Sequence, residues 1–145
     1  MNNNIQINFT LDTNNPQIDL GFEAWLDDDR FFDTDRVATP QKISVEIKDD
    51  DDEHRLKFVL KNKKSEHTQI DEAGNIITDA RLSLSNVSFD DIELGQLFFE
   101  KSIYTHDFNG TANETQNKFY GEMGCNGTVE LKFTTPVYIW LLENM

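Results

Sequence analysis

Apolar residues return at every second position along much of this 145-residue chain. Ile5, Ile7, Phe9 and Leu11 alternate with polar neighbours, as do Ile43, Val45 and Ile47. Leu56, Phe58 and Leu60 repeat the pattern, then Leu82 and Leu84, then Val129, Leu131 and Phe133. Successive side chains of a strand point to opposite faces, so this period makes ribbons with one apolar side. Each ribbon must bury that side against another sheet, which restricts the chain to a sandwich or a barrel. The even spacing favours an all-β, antiparallel β-sandwich of jelly-roll type, one domain over residues 1–145. A chain of this length buries roughly 70% of its unfolded surface in a single core. Asp19–Leu26 (DLGFEAWL) also reads as a strand, with Trp25 and Leu26 breaking parity as at a bulge. Gln96–Tyr104 (QLFFEKSIY) reads as a strand, SFDDIEL as one helical turn, and VYIWLLENM after Pro136 as either a strand or a short helix.

Two acidic clusters fall between apolar runs. In KDDDDE, between KISVEI and HRLKFVL, four aspartates stand where the chain must reverse, so a hairpin turn is expected. The carboxylates suit calcium as well, but the EF-hand spacing is missing, and neighbours along a strand diverge. LDDDRFFDTD, Leu26 to Asp35, sets five aspartates around Arg30, Phe31 and Phe32. A hairpin turn is expected here too. Trp25 beside Asp27, Asp28 and Asp29 also suits a sugar, whose ring stacks on an aromatic while its hydroxyls bond carboxylates. Asp27 and Asp29 are the candidate metal ligands.

The stretch from Tyr104 to Thr128 gathers His106, Asp107, Asn109, Asn113, Glu114, Tyr120 and Cys125. His106 to Lys118 reads as one long loop, and Asp107 and Asn109 are candidate ligand contacts. A Cys125–His106 nucleophilic pair needs a base in reach and an oxyanion hole, and GCNG reads more simply as a tight turn. No phosphate-binding Gly loop, GxSxG or HExxH occurs, and His54, His67 and His106 follow no zinc spacing, so no enzyme is expected. The formal charge of −14, from 27 acids against 13 Lys and Arg, argues against nucleic-acid phosphate or an anionic membrane as partner. One cysteine builds no disulfide framework, and MNNNIQINF is not a signal peptide, so synthesis and folding in a host cytoplasm are expected.

Two stretches carry resemblances. Gly21 to Leu60, GFEAWLDDDRFFDTDRVATPQKISVEIKDDDDEHRLKFVL, resembles the strand–turn–strand plan of carbohydrate-binding β-sandwich modules, including calcium-dependent xylan-binding ones. Lys64 to Met145 is similar to small uncharacterised proteins of marine tailed phages, particularly those infecting cyanobacteria. Neither supplies a ligand motif that transfers residue by residue. The first implies a non-catalytic module that binds a glycan, with Ca²⁺ assisting; the residues read above as candidate contacts for such a ligand are Trp25, Asp27, Asp28, Asp29, Asp107 and Asn109. The second implies association with a virion. The alternative it raises is a structural virion protein, a capsid decoration or tail accessory subunit. Such a subunit would bind protein through Tyr138, Trp140 and Leu142 if these are exposed; if they pack inward they are a last core strand.

Overall fold

The computed structural model describes residues 4–64, 69–106 and 113–144. In chain order the elements are β1 (Asn4–Thr13), β2 (Gly21–Leu26), β3 (Asp29–Thr34), β4 (Gln41–Lys48), β5 (Glu53–Lys61), β6 (Gln69–Ile70) and β7 (Ile76–Thr78). There follow β8 (Leu82–Phe89), β9 (Ile92–Glu93), α1 (Gln96–Lys101), β10 (Ser102–His106), β11 (Thr115–Lys118), β12 (Glu122–Met123), β13 (Gly127–Thr134) and α2 (Val137–Asn144). All pairings are antiparallel. The first sheet runs β12-β8-β1-β4, with β9 on β8, and the second runs β11-β10-β13-β5-β2-β3. The two sheets pack face to face, so the antiparallel sandwich expected from the alternation is what forms.

The alternation is obeyed residue by residue. Ile5, Ile7, Phe9 and Leu11 of β1 are buried, as are His54, Leu56, Phe58 and Leu60 of β5 and Val129, Leu131 and Phe133 of β13. Aromatic rings join the sheets across the middle. Phe9 meets Phe58 edge-on with centroids 4.8 Å apart, and Phe89 meets Phe133 at 4.9 Å. Such pairs add about 0.5–1.5 kcal/mol each beyond the area they bury.

Four sequence expectations are corrected. The KDDDDE segment is no hairpin, because β4 pairs with β1 in the first sheet while β5 pairs with β13 and β2 in the second. Two alternating strands can flank an acidic bend without pairing with each other, and here the bend carries the chain between sheets. Gln96–Lys101 is helical, and only Ser102 onward is strand. Leu97 and Phe98 are consecutive and both buried, which a helical turn permits and a half-buried strand does not. SFDDIEL forms a tight turn at Asp90 and Asp91 between paired Phe89 and Ile92. The bulge expected at Trp25 lies across from it: Ala24 pairs Phe32 and Trp25 pairs Arg30, leaving Phe31 as the extra residue in β3. Phe31 and Phe32 both lean on the core in consequence.

VYIWLLEN is the helix α2 rather than a last strand. A helix turns Val137, Trp140 and Leu141 inward together, at spacings of three and four. Trp140 packs on Phe89 and Phe133, while Tyr138 and Leu142 remain exposed.

Phe58 has no exposed surface and contacts the rings of Phe9, Phe22 and Phe98. Phe58→Ala should lower the unfolding free energy by about 3–5 kcal/mol, measured by urea denaturation. Ile103→Ala, at a side chain 49% exposed, should stay within about 0.5 kcal/mol of the parent. Equal effects would mean that the sheets do not meet at Phe58.

Candidate functional site

The two acidic clusters converge on one imidazole. His54 lies in phase with Leu56, Phe58 and Leu60, so it points into the sandwich at the end of β5. Its Nδ1 is 2.7 Å from Asp27 Oδ2 and its Nε2 is 2.8 Å from Asp50 Oδ1. Carboxylates on both nitrogens require two ring donors, which makes His54 an imidazolium. Phe133 flanks the ring at 5.8 Å. Asp27 is positioned by the two-residue turn Asp27–Asp28, where Leu26 pairs Asp29 and Asp27 takes a positive φ of 55°. Its backbone N–H donates to Arg55 O at 2.8 Å, and its Oδ1 accepts from the Arg55 N–H at 2.9 Å. Asp50 accepts a further bond from the Thr135 hydroxyl at 2.9 Å.

These contacts assign the four aspartates at residues 49–52. Asp49 carries a buried Oδ1 with no hydrogen-bond partner. Asp50 serves His54. Asp51 is exposed with a left-handed φ of 56°. Asp52 accepts the Glu53 N–H at 2.8 Å, while its own N–H donates to Thr135 Oγ1 at 3.1 Å. Of the candidate metal ligands, Asp27 is engaged by His54 and Arg55, and Asp29 is exposed. Among the described residues, no group of three or more His, Cys, Asp or Glu is arranged to hold a metal ion.

Trp25 faces away from the core. Phe22 and Ala24 point inward, so Glu23 and Trp25 fall on the outer face of the second sheet. A shallow cleft of about 370 Å³ lies there, lined by Glu23, Trp25, Asp27 and Asp28 from β2 and its turn and by Lys57, Val59, Thr128 and Glu130 from β5 and β13. The Trp25 indole N–H donates to Glu23 Oε1 at 2.9 Å, and the Arg30 guanidinium sits 5.8 Å from the ring centroid. Glu23 is fixed in turn by the Lys61 ammonium at 3.0 Å, whose bond holds its pKa below the usual 4.5. Asp33 is lowered by the same ammonium. The cleft therefore presents a fixed indole among donors and acceptors of both charges.

Of the expected contacts, Trp25, Asp27 and Asp28 do come together at this cleft, and Asp29 is at the turn beside it. Asp107 and Asn109 lie outside the described residues. The expected long loop is partly strand, since Thr115–Lys118 pairs with β10. Cys125 and Tyr104 meet through the Cys125 backbone: its N–H donates to the Tyr104 hydroxyl at 2.9 Å, and that hydroxyl donates to the Cys125 carbonyl. Burial pushes the Tyr104 hydroxyl pKa well up. His106 Nε2 is 2.9 Å from the Asn117 amide. Sequence reasoning missed His54 and the outward residues Lys57, Val59, Thr128 and Glu130. The phase of His54 within its strand was the signal for its inward direction.

The cluster has a defined pH signature. Burial pulls the His54 pKa down, but the bonds and charges of Asp27 and Asp50 outweigh it and leave the pKa above 6.5. The bond from His54, then that from Thr135, lowers Asp50 below 3.8. A raised histidine stabilises fully below its unfolded pKa and loses that contribution as pH rises through the folded value. A lowered aspartate contributes above its unfolded pKa and loses that as pH falls through the folded value. The cluster should thus stabilise most between the ordinary values 3.8 and 6.5. Thermal melting should show a decline above this window that His54→Asn flattens, and NMR titration should place His54 above 6.5. A His54 that titrates at or below 6.5 contradicts the two-carboxylate arrangement.

No protein-family model matches this chain, and comparisons with curated proteins and with solved structures return no match either.

Proposed function

We propose that the protein is a non-catalytic binding module that takes a neutral glycan along the outer face of its second sheet. The observation that carries this reading is Trp25, a large aromatic side chain placed half-buried on the outer face by strand parity and held by Glu23 and Arg30. A rigid ring at a surface offers a stacking plane at small entropic cost.

The strand register extends the surface beyond the cleft. One row across the sheet runs Glu23, Val59, Thr128, Thr105, Gln116, and the next runs Trp25, Lys57, Glu130, Ile103, Lys118. Three strand spacings separate β2 from β10, about 14 Å. Between these ends the rows carry hydroxyl, ammonium and carboxylate groups, with the Gln116 amide on β11 just beyond, which suits a string of sugar hydroxyls. Ile103 is exposed at the far side, and Tyr120 beyond it is 74% exposed with the Lys118 ammonium 5.6 Å from its ring. A net charge of −14 repels acidic polysaccharides, so the ligand class is neutral. Calcium assistance enters this reading through Asp29 of the expected pair, with exposed Asp28 beside it, since Asp27 is engaged by His54 and Arg55.

A glycan array followed by calorimetry with a neutral oligosaccharide, xylohexaose among the first, tests the reading. Trp25→Ala should reduce affinity at least about tenfold, roughly 1.4 kcal/mol, with an unchanged melting temperature. Titrations in calcium and in EDTA read the calcium arm, and equal affinities remove calcium from the reading. No neutral glycan bound, or a Trp25→Ala protein that binds like the parent, overturns the glycan reading.

A further inference from the structure

The helix α2 has a second face that the core does not use. Val137, Trp140 and Leu141 are buried, whereas Tyr138, Ile139 and Leu142 are 44%, 53% and 79% exposed. Positions 138 and 142 are one helical turn apart and 139 stands three before 142, so the three side chains form one apolar stripe. The stripe is firmly held. Trp140 is wedged against Phe89 and Phe133, the Ile139 and Trp140 N–H groups bond Pro136 O at 3.1 and 3.2 Å, and the Asn144 amide closes the last turn on Trp140 O at 2.7 Å.

The surroundings of the stripe are acidic. The Tyr138 hydroxyl donates to Asp90 Oδ2 at 2.7 Å, and the Asp91 and Asp49 carboxylates act electrostatically on the same hydroxyl. Glu143 follows Leu142 directly, and neither α2 nor the Phe89–Leu94 segment carries a Lys or Arg. An apolar strip edged by one sign of charge selects a partner with an apolar ridge edged by the other. A second copy of this chain would bring the same carboxylates against each other, at −14 per copy.

We propose that α2 docks a protein segment that is amphipathic and basic, with apolar side chains flanked by Lys or Arg. The apolar side chains pack on Ile139 and Leu142, and the cations face Asp90, Asp91, Asp49 and Glu143. This surface lies on a different element from the glycan face, and the proposal stands or falls without it. It also gives the virion-subunit alternative a concrete surface, since attachment to a larger assembly needs such an anchor.

The test uses the full chain and two synthetic helical peptides of equal length, one of Leu with Lys and one of Leu with Glu. Calorimetry should show saturable one-to-one binding of the Leu/Lys peptide, and amide shifts in NMR should centre on residues 138–143. Ile139→Ser with Leu142→Ser should weaken binding at least tenfold, and Asp91→Asn with Glu143→Gln should weaken it and reduce its salt dependence. Melting temperatures should stay at the parent value, because all four side chains are exposed. Three results would overturn the proposal. The Leu/Lys peptide fails to bind, or it binds the serine variant as well as the parent, which marks general attraction to an acidic protein. Alternatively, the parent self-associates through α2 and the serine variant does not, which assigns the face to a second copy.

Discussion

One imidazolium fastens three separate parts of this chain. His54 stands at the start of β5 and binds Asp27 from the β2–β3 turn and Asp50 from the bend between the sheets. Through Asp50 it also reaches Thr135, the residue that leads into α2, whose Oγ1 also accepts the Asp52 N–H. The charged ring is stable at this buried position because both its N–H groups meet carboxylates. Removing either carboxylate leaves a buried charge with half its partners, so the three segments depend on one another. One aspartate of each acidic stretch, Asp27 and Asp50, is thus committed to this clamp, while Asp28, Asp29 and Asp51 are exposed.

The two proposed binding surfaces sit on opposite arms of that clamp. Asp27 borders the cleft under Trp25, and Thr135 precedes the helix with the exposed apolar stripe. Neither surface lies on a flexible connection. Trp25 belongs to a strand paired on both sides, and α2 is seated by Trp140 in the aromatic core. Rigid placement lowers the ordering cost of binding. It also separates the two proposed partners in kind: the sheet face mixes charges and hydroxyls, while the helix face is apolar within an acidic border.

What the sequence reveals follows from which interactions are local. Strand parity is local, so the inward positions of β1, β4, β5 and β13 are legible from Ile5, Ile43, Leu56 or Val129 and their two-residue spacing. Pairing is not local. KISVEI and HRLKFVL look like a hairpin because nothing in either strand shows that Ile43 will face Phe9 across the ladder while Phe58 faces Val129. Leu97–Phe98 and VYIWLL are ambiguous for another reason: short apolar runs fit a buried strand or a helix equally, and the choice is made by the surface available to cover them. Trp25 is legible as a candidate, but Trp25 and Leu26 side by side suggest a break in parity, whereas the extra residue is Phe31 of β3 and β2 keeps its regular alternation. The residues that complete its cleft, Lys57, Thr128 and Glu130, are ordinary polar positions of alternating strands. They come together only through the register of three strands, β2, β5 and β13.

We propose that a neutral glycan lies across the outer face of the second sheet. An NMR titration of the labelled protein with the neutral oligosaccharide that binds most tightly on an array tests this directly. Shifts are expected in the Trp25 indole and in the amides of Val59, Thr128 and Thr105, tracing the row across β2, β5, β13 and β10. Shifts confined to the first sheet or to α2, or none at saturating concentration, would contradict it.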